Sequence, residues 1–331
     1  MRRFVDLAEF TREEVLALLE LARRLERQPE PRALSGKLLG LVFFNPSLRT
    51  LASFQAAMTR LGGQSLVVNP GQGSWQMETR TGVVMDGAAA EHIREGIPVL
   101  ASYCDALGVR IFAEGRDLAS DLAESTFSAI ADLSDKPLVN LESAVNHPCQ
   151  ALADWKTLDD LAIPRAGRFV LSWAYHPRAL PLAVPAAALH MAALRGMEVV
   201  VLRPEGFALP HALMERARRA AAAAGGSVWE TSERHEALER AHVLYVKEWG
   251  ATDRYGDAAV DAQLRGALRG WCVREDWFGA APDCRVMHCL PVRRNSAIAD
   301  EVLDGTRSVV QREAYNRLPV QMAVLHQLLR S

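Results

Sequence analysis

Four short segments of the chain carry residues suited to gripping an anion and a developing oxyanion. The first is Asn45-Pro46-Ser47-Leu48-Arg49-Thr50, between an apolar run (Leu38 to Phe44) and a helical pattern from about Arg49 to Leu61. A strand that feeds a helix there leaves backbone N–H groups unpaired at the positive end of the helix dipole. That is an anion site by geometry. Ser47 and Thr50 add hydroxyls, and Arg49 adds a guanidinium fork that fits phosphate oxygens. Plain helix capping by Ser47 accounts for the same residues. The second segment is Gly108-Val109-Arg110, at the end of an apolar run. The third, His147-Pro148-Cys149-Gln150, opens a helix. The fourth is His288-Cys289-Leu290-Pro291-Val292-Arg293-Arg294. Taken singly, the arginines read as solvated strand ends and the histidines as caps or packed residues. Taken together, all four segments lie at the carboxyl ends of expected strands, where one cleft can collect them. The collected groups include no strong nucleophile and no metal-ligand set, so they suit a developing oxyanion and a leaving phosphate rather than covalent catalysis. Cys149 near His147 raises a thiol nucleophile, but no third orienting group is visible and a neutral helix-lining cysteine is preferred. Pro70 to Gln76 is not a dinucleotide loop, because Gln76 stands where the last glycine belongs. His176-Pro177-Arg178 is either a phosphate contact or a polar loop.

The elements that must position these residues follow from periodicity. Thr11 and Glu14 form a capping box ahead of an amphipathic helix ending near Gln28. Strands are expected at Leu38 to Phe44, Ser65 to Asn69, Ala106 to Phe112 and Pro137 to Glu142. A helix from about Pro148 to Leu161 follows them. The alternation restarts with strands at Arg168 to Ala174, Glu198 to Arg203, Ser227 to Glu230, His242 to Lys247 and Arg285 to Cys289. Helices include Pro210 to Ala224 and a last one from Glu313 to Leu329. Short apolar strands alternating with helices mean parallel sheets covered on both faces. The expectation is an α/β protein of two parallel-sheet domains with an interdomain cleft, the C-terminal helix returning to the first. The boundaries are 1–150 plus 313–331 for the first domain and 151–312 for the second.

Composition narrows the function class. The 331 residues are 49% hydrophobic and 24% charged, which excludes a disordered or collagen-like chain. The net charge is -2, with no basic excess, so nucleic acid is not the expected partner. The five cysteines (Cys104, Cys149, Cys272, Cys284, Cys289) make no C-x-x-C pair, which fits a reducing compartment. No signal peptide or membrane-length apolar run is visible, so the expected location is the cytoplasm and no membrane partner is expected.

Three motifs carry a resemblance. Ser47-Leu48-Arg49-Thr50 resembles the S-x-R-T carbamoyl-phosphate loop of the aspartate and ornithine carbamoyltransferases. His147-Pro148-Cys149-Gln150 resembles their H-P-x-Q motif, and His288-Cys289-Leu290-Pro291 the H-C-L-P motif of the ornithine branch. The resemblance covers nearly the whole chain. Finer features resemble the N-acylornithine carbamoyltransferases, among them Gly73-Ser74-Trp75-Gln76-Met77-Glu78, Glu91-His92-Ile93, Trp173 to Arg178 and Lys247-Glu248-Trp249-Gly250. The resemblance implies a cytoplasmic homotrimer of arginine biosynthesis, needing no cofactor, whose partners are carbamoyl phosphate and an N-acyl-L-ornithine. It implies that the N–H groups of Leu48, Arg49 and Thr50, with Ser47, Arg49 and Arg110, cradle the phosphate, and that Trp75 of a neighbouring subunit reaches it. Thr50, Arg110 and His147 would hold the carbamoyl oxygen; Gln150 and the Leu290 carbonyl would take the carbamoyl NH2, with Cys289 nearby. Arg317, on the last helix, would contact the carbamoyl group. Glu142, His176, Lys247 and Arg293 would orient the acylornithine.

The acyl group is read from two positions. The acetyl enzymes carry a Glu where this chain has Ala90 and a Lys where it has Ala297. The succinyl enzymes carry Pro at the first position and lack the Lys, so Ala90 matches neither branch. A Glu facing the acyl pocket would repel a succinyl carboxylate; Ala90 removes that charge and opens space. The expected acceptor is N-succinyl-L-ornithine. N-acetyl-L-ornithine is the alternative; ornithine, or a homologue that only binds a metabolite, stands behind it.

Overall fold

The structure, a computed structural model, describes residues 1–330. Its contacts divide the chain into two compact units. The first comprises Met1–Glu114, Ala119–Cys149 and the residues from Arg317 onward; the second comprises Gly115–Leu118 and Gln150–Asn316.

The first unit holds β1 (Arg3–Phe4), β2 (Leu38–Phe43), β3 (Gln64–Val68), β4 (Gln76–Glu78), β5 (Ala89–His92), β6 (Ala106–Arg110) and β7 (Leu138–Glu142). Five of them form a parallel sheet in the order β1-β7-β6-β2-β3. β6 and β7 are buried at every residue, which is why they read as unbroken apolar runs instead of alternating. Ile93, Ile97, Leu107, Val109, Phe127, Ile130 and Leu138 make one core on this sheet. The first helix, Arg12–Arg27, starts on the expected capping box: Glu14 N donates to Thr11 Oγ1 at 3.2 Å and Thr11 N to Glu14 Oε2 at 2.7 Å.

The second unit repeats the plan with β8 (Arg168–Trp173), β9 (Glu198–Leu202), β10 (Ser227–Thr231), β11 (Ala241–Lys247) and β12 (Arg285–Met287). All five are parallel, in the order β10-β9-β8-β11-β12. Val170, Val200, Leu244, Val246 and Val286 pack with Trp277, Phe278 and Ile298. The last helix, Val310–Leu329, begins in this unit and continues into the first from Arg317.

The expected α/β architecture with parallel sheets and a C-terminal helix is what the chain adopts. Strand ends are where expectation and structure part. Phe44, Ile111, Phe112, Ala174, His288 and Cys289 lie beyond their strands. At Phe44 and Ile111 the hydrogen bonds run on, Phe44 N to Arg110 O and Ile111 N to Glu142 O, both at 3.0 Å. What ends is the regular register: β6 and β7 shift between Val109 and Arg110, so Val109 faces Asn140 and Arg110 faces Glu142, with Leu141 passed over. A bulge of this kind re-aims the side chains beyond it. The pairing of β4 with β5 has no apolar pattern to announce it, and β1 is only two residues long.

Helix Leu48–Arg60, which begins at the anion loop, ends on Leu61-Gly62. Gly62 sits at φ +82°, and a Cβ there would stand 2.2 Å from the Pro31 carbonyl oxygen. Gly62→Ala is expected to destabilise the protein by ~2 kcal/mol or more. A lower urea midpoint at unchanged m-value is the expected readout, and an unmoved midpoint would refute it.

Candidate active site

In the first unit the carboxyl ends of β2, β6 and β7 bring the expected anion-binding residues together. Ser47 caps helix Leu48–Arg60: its Oγ accepts from Thr50 N at 3.3 Å and donates to Thr50 Oγ1 at 3.0 Å. Thr50 is fully buried, and its Oγ1 accepts from Arg317 Nη2 at 2.8 Å. A contact between residues this far apart in sequence is not local capping; it ties the last helix to the anion loop. Leu48 shows the opposite exposure, 79%, so its contribution to the loop is its backbone N–H.

Arg110, the last residue of β6, is buried. Its Nε donates to the Asn45 carbonyl at 3.1 Å, its Nη1 donates to Glu142 Oε2, and its guanidinium lies 4.5 Å from the centre of the Phe112 ring. Asn45 also accepts from Phe112 N at 2.8 Å through its side-chain oxygen. This one residue therefore fixes both the arginine and the ring beneath it. Glu142 is shared: its Oε2 lies 3.5 Å from His147 Nε2. His147 Nδ1 is buried and without a hydrogen-bond partner among the described residues.

The local charge is positive. Burial pushes the Arg317 pKa down, and Arg110 and Arg49 push it further, against Cys149 and Glu142. Burial also holds the His147 pKa well below the usual histidine range, with the Arg317 and Arg110 charges adding to it. His147 is thus neutral near pH 7 and can donate a hydrogen bond without bringing a charge. Burial pushes the Cys149 thiol up to about 12, in spite of Arg317. A thiolate nucleophile is thereby excluded at that position. The arrangement can bind a phosphate dianion and polarise a carbonyl oxygen beside it.

The second unit assembles its own polar set. His176, just past β8, accepts from Arg293 Nε at 2.9 Å on its Nε2; the proton is then on Nδ1, which donates to the Arg178 carbonyl at 2.8 Å. Burial lowers the His176 pKa. Lys247, the last residue of β11, donates to Glu248 Oε2 at 2.8 Å, and His288 Nε2 lies 3.4 Å from the same oxygen. Burial alone would raise the Glu248 pKa, but Lys247 and His288 hold it well below the carboxylate range. Trp173 Nε1 and Trp249 Nε1 donate to the Trp249 and Phe207 carbonyls, each at 2.9 Å, and so pin the turn that carries Glu248. Gln150 is buried, with its NH2 on Asp154 and Glu313. Leu290 has φ 57°, and Cys289 beside it is buried.

Other expected residues have different neighbours in the structure. Arg294 is tied to Asp300 and Asp304 in exposed ion pairs, both at 2.7 Å, and only its neighbour Arg293 reaches His176. Glu142, expected to orient the acylornithine, is bonded to Arg110 in the first unit. Trp75 is 60% exposed and donates from Nε1 to Glu91 at 2.6 Å; Ala90, on β5, is exposed too. Sequence reasoning passed over Asn45, Asp154, Glu248 and Glu313. Asp154 had a signal, since it lies four residues after Gln150 on one helix face. The other three have none in local pattern. Among the described residues no group of three His, Cys, Asp or Glu is arranged to hold a metal. Among the described residues no helix is long and apolar enough to cross a membrane.

Residues 2–160 match the family model of the aspartate/ornithine carbamoyltransferase carbamoyl-P binding domain, and residues 184–328 that of the Asp/Orn binding domain. The chain is 36% identical to the N-acetylornithine carbamoyltransferase of Xylella fastidiosa (strain Temecula1) over 329 residues, 98% of each chain. It is 35% identical to the N-succinylornithine carbamoyltransferase of Bacteroides thetaiotaomicron over 295 residues, 88% of this chain and 87% of that one. Among solved structures it is similar to a glutamate-to-alanine mutant of N-acetyl-L-ornithine transcarbamylase complexed with carbamyl phosphate and N-succinyl-L-norvaline. The TM-score there is 0.94 at 36% identity, covering 99% of this chain and 100% of that chain.

A histidine kept neutral by burial has a stability consequence. Its folded pKa lies below the unfolded value of about 6.5, so the unfolded state takes up a proton that the native state refuses as pH falls. Stability attributable to His147 is constant above that value and declines below it, by up to about 1.4 kcal/mol per pH unit. Urea midpoints from pH 7.5 to 5 are expected to fall less steeply for His147→Gln than for the parent. Parallel curves would show that burial does not depress this pKa.

Proposed function

The chain belongs to the aspartate/ornithine carbamoyltransferase family, and we propose that it carries the carbamoyl group of carbamoyl phosphate to the δ-amine of N-succinyl-L-ornithine, giving N-succinyl-L-citrulline and phosphate. The observation that carries this reading is the buried set of Arg110, Arg317, Thr50 and His147 around the N-terminus of helix Leu48–Arg60, with Arg49 in electrostatic reach. Two buried guanidiniums, Arg110 and Arg317, with Glu142 bonded to the first, suit a dianion.

In this reading the phosphate takes the N–H groups of Leu48, Arg49 and Thr50 with Ser47, Arg49 and Arg110. The carbamoyl oxygen takes Thr50, Arg110 and neutral His147, and Arg317 contacts the carbamoyl group. We assign Gln150 Oε1 and the Leu290 carbonyl to the carbamoyl NH2, with Cys289 beside them. Lys247, His176, Arg293 and Glu142 are assigned to the acceptor. Trp75 is assigned to a neighbouring subunit's phosphate in a homotrimer. The neutral δ-amine attacks the carbamoyl carbon, the oxyanion collects on the donors, the C–O bond to phosphate breaks, and the departing phosphate takes the second amine proton. No protein base is needed. A free alkylamine has a pKa near about 10.4, and a cationic site favours its neutral form.

Overall similarity does not choose the acyl group, because relatives of both names match at 35–36% identity. Ala90 favours succinyl. The resemblance aligns it with a glutamate of the acetyl enzymes, and mutants of one such enzyme with that type of residue replaced by Ala, Pro, Ser or Val are solved with N-succinyl-L-norvaline. The longer match to N-acetylornithine enzymes, 98% of the chain against 88%, favours the acetyl reading.

A citrulline-type colour assay over succinylornithine, acetylornithine, ornithine and putrescine decides among these. Faster turnover of succinylornithine is expected; faster acetylornithine would transfer the assignment, and no product with any amine would overturn the enzyme reading. Ala90→Glu is expected to abolish succinyl turnover and spare acetyl turnover. Arg110→Ala and His147→Ala are each expected to lower turnover by about two orders of magnitude or more, the worth of one or more oxyanion donors. Near-normal rates would refute those roles.

A further inference from the structure

Glu313 lies deep in the second unit, and the reaction as described gives it no part. Its side chain is fully buried. Oε1 accepts from Gln150 Nε2 at 3.1 Å, and Oε2 accepts from the His288 backbone N at 2.8 Å. The same Gln150 NH2 donates to Asp154 Oδ1 at 2.8 Å, and Asp154 is also fully buried. Two carboxyl groups thus converge on one amide NH2. Both can only accept there, so the amide has a single satisfied orientation: nitrogen toward the acids, oxygen away from them. The oxygen turned away, Gln150 Oε1, is buried and has no hydrogen-bond partner among the described residues. A buried amide oxygen left unpaired is destabilising, and an N–H donor arriving with a ligand would recover that loss.

The other end of Glu313 acts on the backbone. By holding His288 N it fixes the residue where β12 runs into Cys289-Leu290, and Leu290 N in turn donates to His288 Nδ1 at 2.9 Å. One side chain therefore bears on both acceptors assigned to the carbamoyl NH2, the Gln150 side-chain oxygen and the Leu290 carbonyl.

We propose that Glu313, paired with Asp154, is a positioning residue that sets the preference for an NH2-bearing acyl phosphate by fixing the Gln150 amide and the Leu290 carbonyl as hydrogen-bond acceptors. Two buried carboxylates so close cannot both ionise. Burial and the Asp154 charge push the Glu313 pKa well up. The pair therefore shares a proton and carries a single negative charge, which keeps both groups able to accept. Tyr245, buried against the pair, has its phenol pKa pushed up by burial and by the same two acids, so it stays neutral as well.

The inference rests on the carbamoyl-phosphate reading, and its test separates the two. Acetyl phosphate has a methyl group where carbamoyl phosphate has NH2, with the phosphate and carbonyl unchanged. Dissociation constants of both are measured by calorimetry on the full-length parent, on Glu313→Ala and on Glu313→Gln. The parent is expected to bind carbamoyl phosphate at least tenfold tighter than acetyl phosphate. In Glu313→Ala that gap is expected to close by about tenfold through weaker carbamoyl phosphate binding, with acetyl phosphate unchanged within twofold. Glu313→Gln keeps the volume but only one acceptor atom, so an intermediate gap is expected; it also serves where the alanine variant fails to fold. Equal weakening of both ligands would make Glu313 a merely structural residue, and an unchanged gap would overturn its role. A parent that binds neither ligand would sink the carbamoyl-phosphate reading itself.

Discussion

The first unit depends on a concentration of buried positive charge that its own side chains only partly neutralise. Arg110 and Arg317 are both buried, Arg49 is within electrostatic reach, and Glu142 is the carboxylate bonded into the set. Removing guanidiniums from water is expensive unless the lost hydration is replaced. Here the replacement comes from the Asn45 carbonyl, the Thr50 hydroxyl, the Phe112 ring and Glu142. These partners hold the arginines in place without saturating them. A dianion entering such a site meets donors already oriented, so less of its binding energy is lost to reorganisation.

The neutrality of His147 follows first from its burial and then from the same charge. A histidine next to arginines in a dry pocket resists protonation, and a neutral imidazole can donate from one nitrogen without competing for the anion. The second unit uses the opposite device. There Lys247 is matched by Glu248, and His176 is occupied by Arg293 and the Arg178 carbonyl, so charge is largely balanced within the unit. The two units thus present different electrostatic characters.

Much of this was legible in the sequence, and the reasons differ by residue. The strands were visible because parallel strands buried on both faces are continuous apolar runs, and Ser47, Arg110 and His147 were visible because they follow such runs. Arg317 was found only through the family resemblance, since nothing local distinguishes it from any helical arginine. Asn45, Glu248 and Glu313 escaped because their roles come from partners 25 or more residues away or from an adjacent residue, and no periodicity encodes that. The bulge between β6 and β7 escaped because Leu138 to Glu142 reads as a regular strand. The Arg110–Glu142 pairing was missed with it. The resemblance assigns Glu142 to the acceptor and says nothing of its bond to Arg110.

That passed-over Leu141 has a consequence for how the protein can change over evolutionary time. A strand alternates its faces residue by residue, so adding or deleting one position before Glu142 would turn its carboxylate to the opposite side of the sheet. The span from Asn140 to Glu142 is therefore fixed in length by a counting rule, and divergence there must proceed by exchange of one residue for another. No such parity binds a segment outside the strands, such as the loop between β4 and β5.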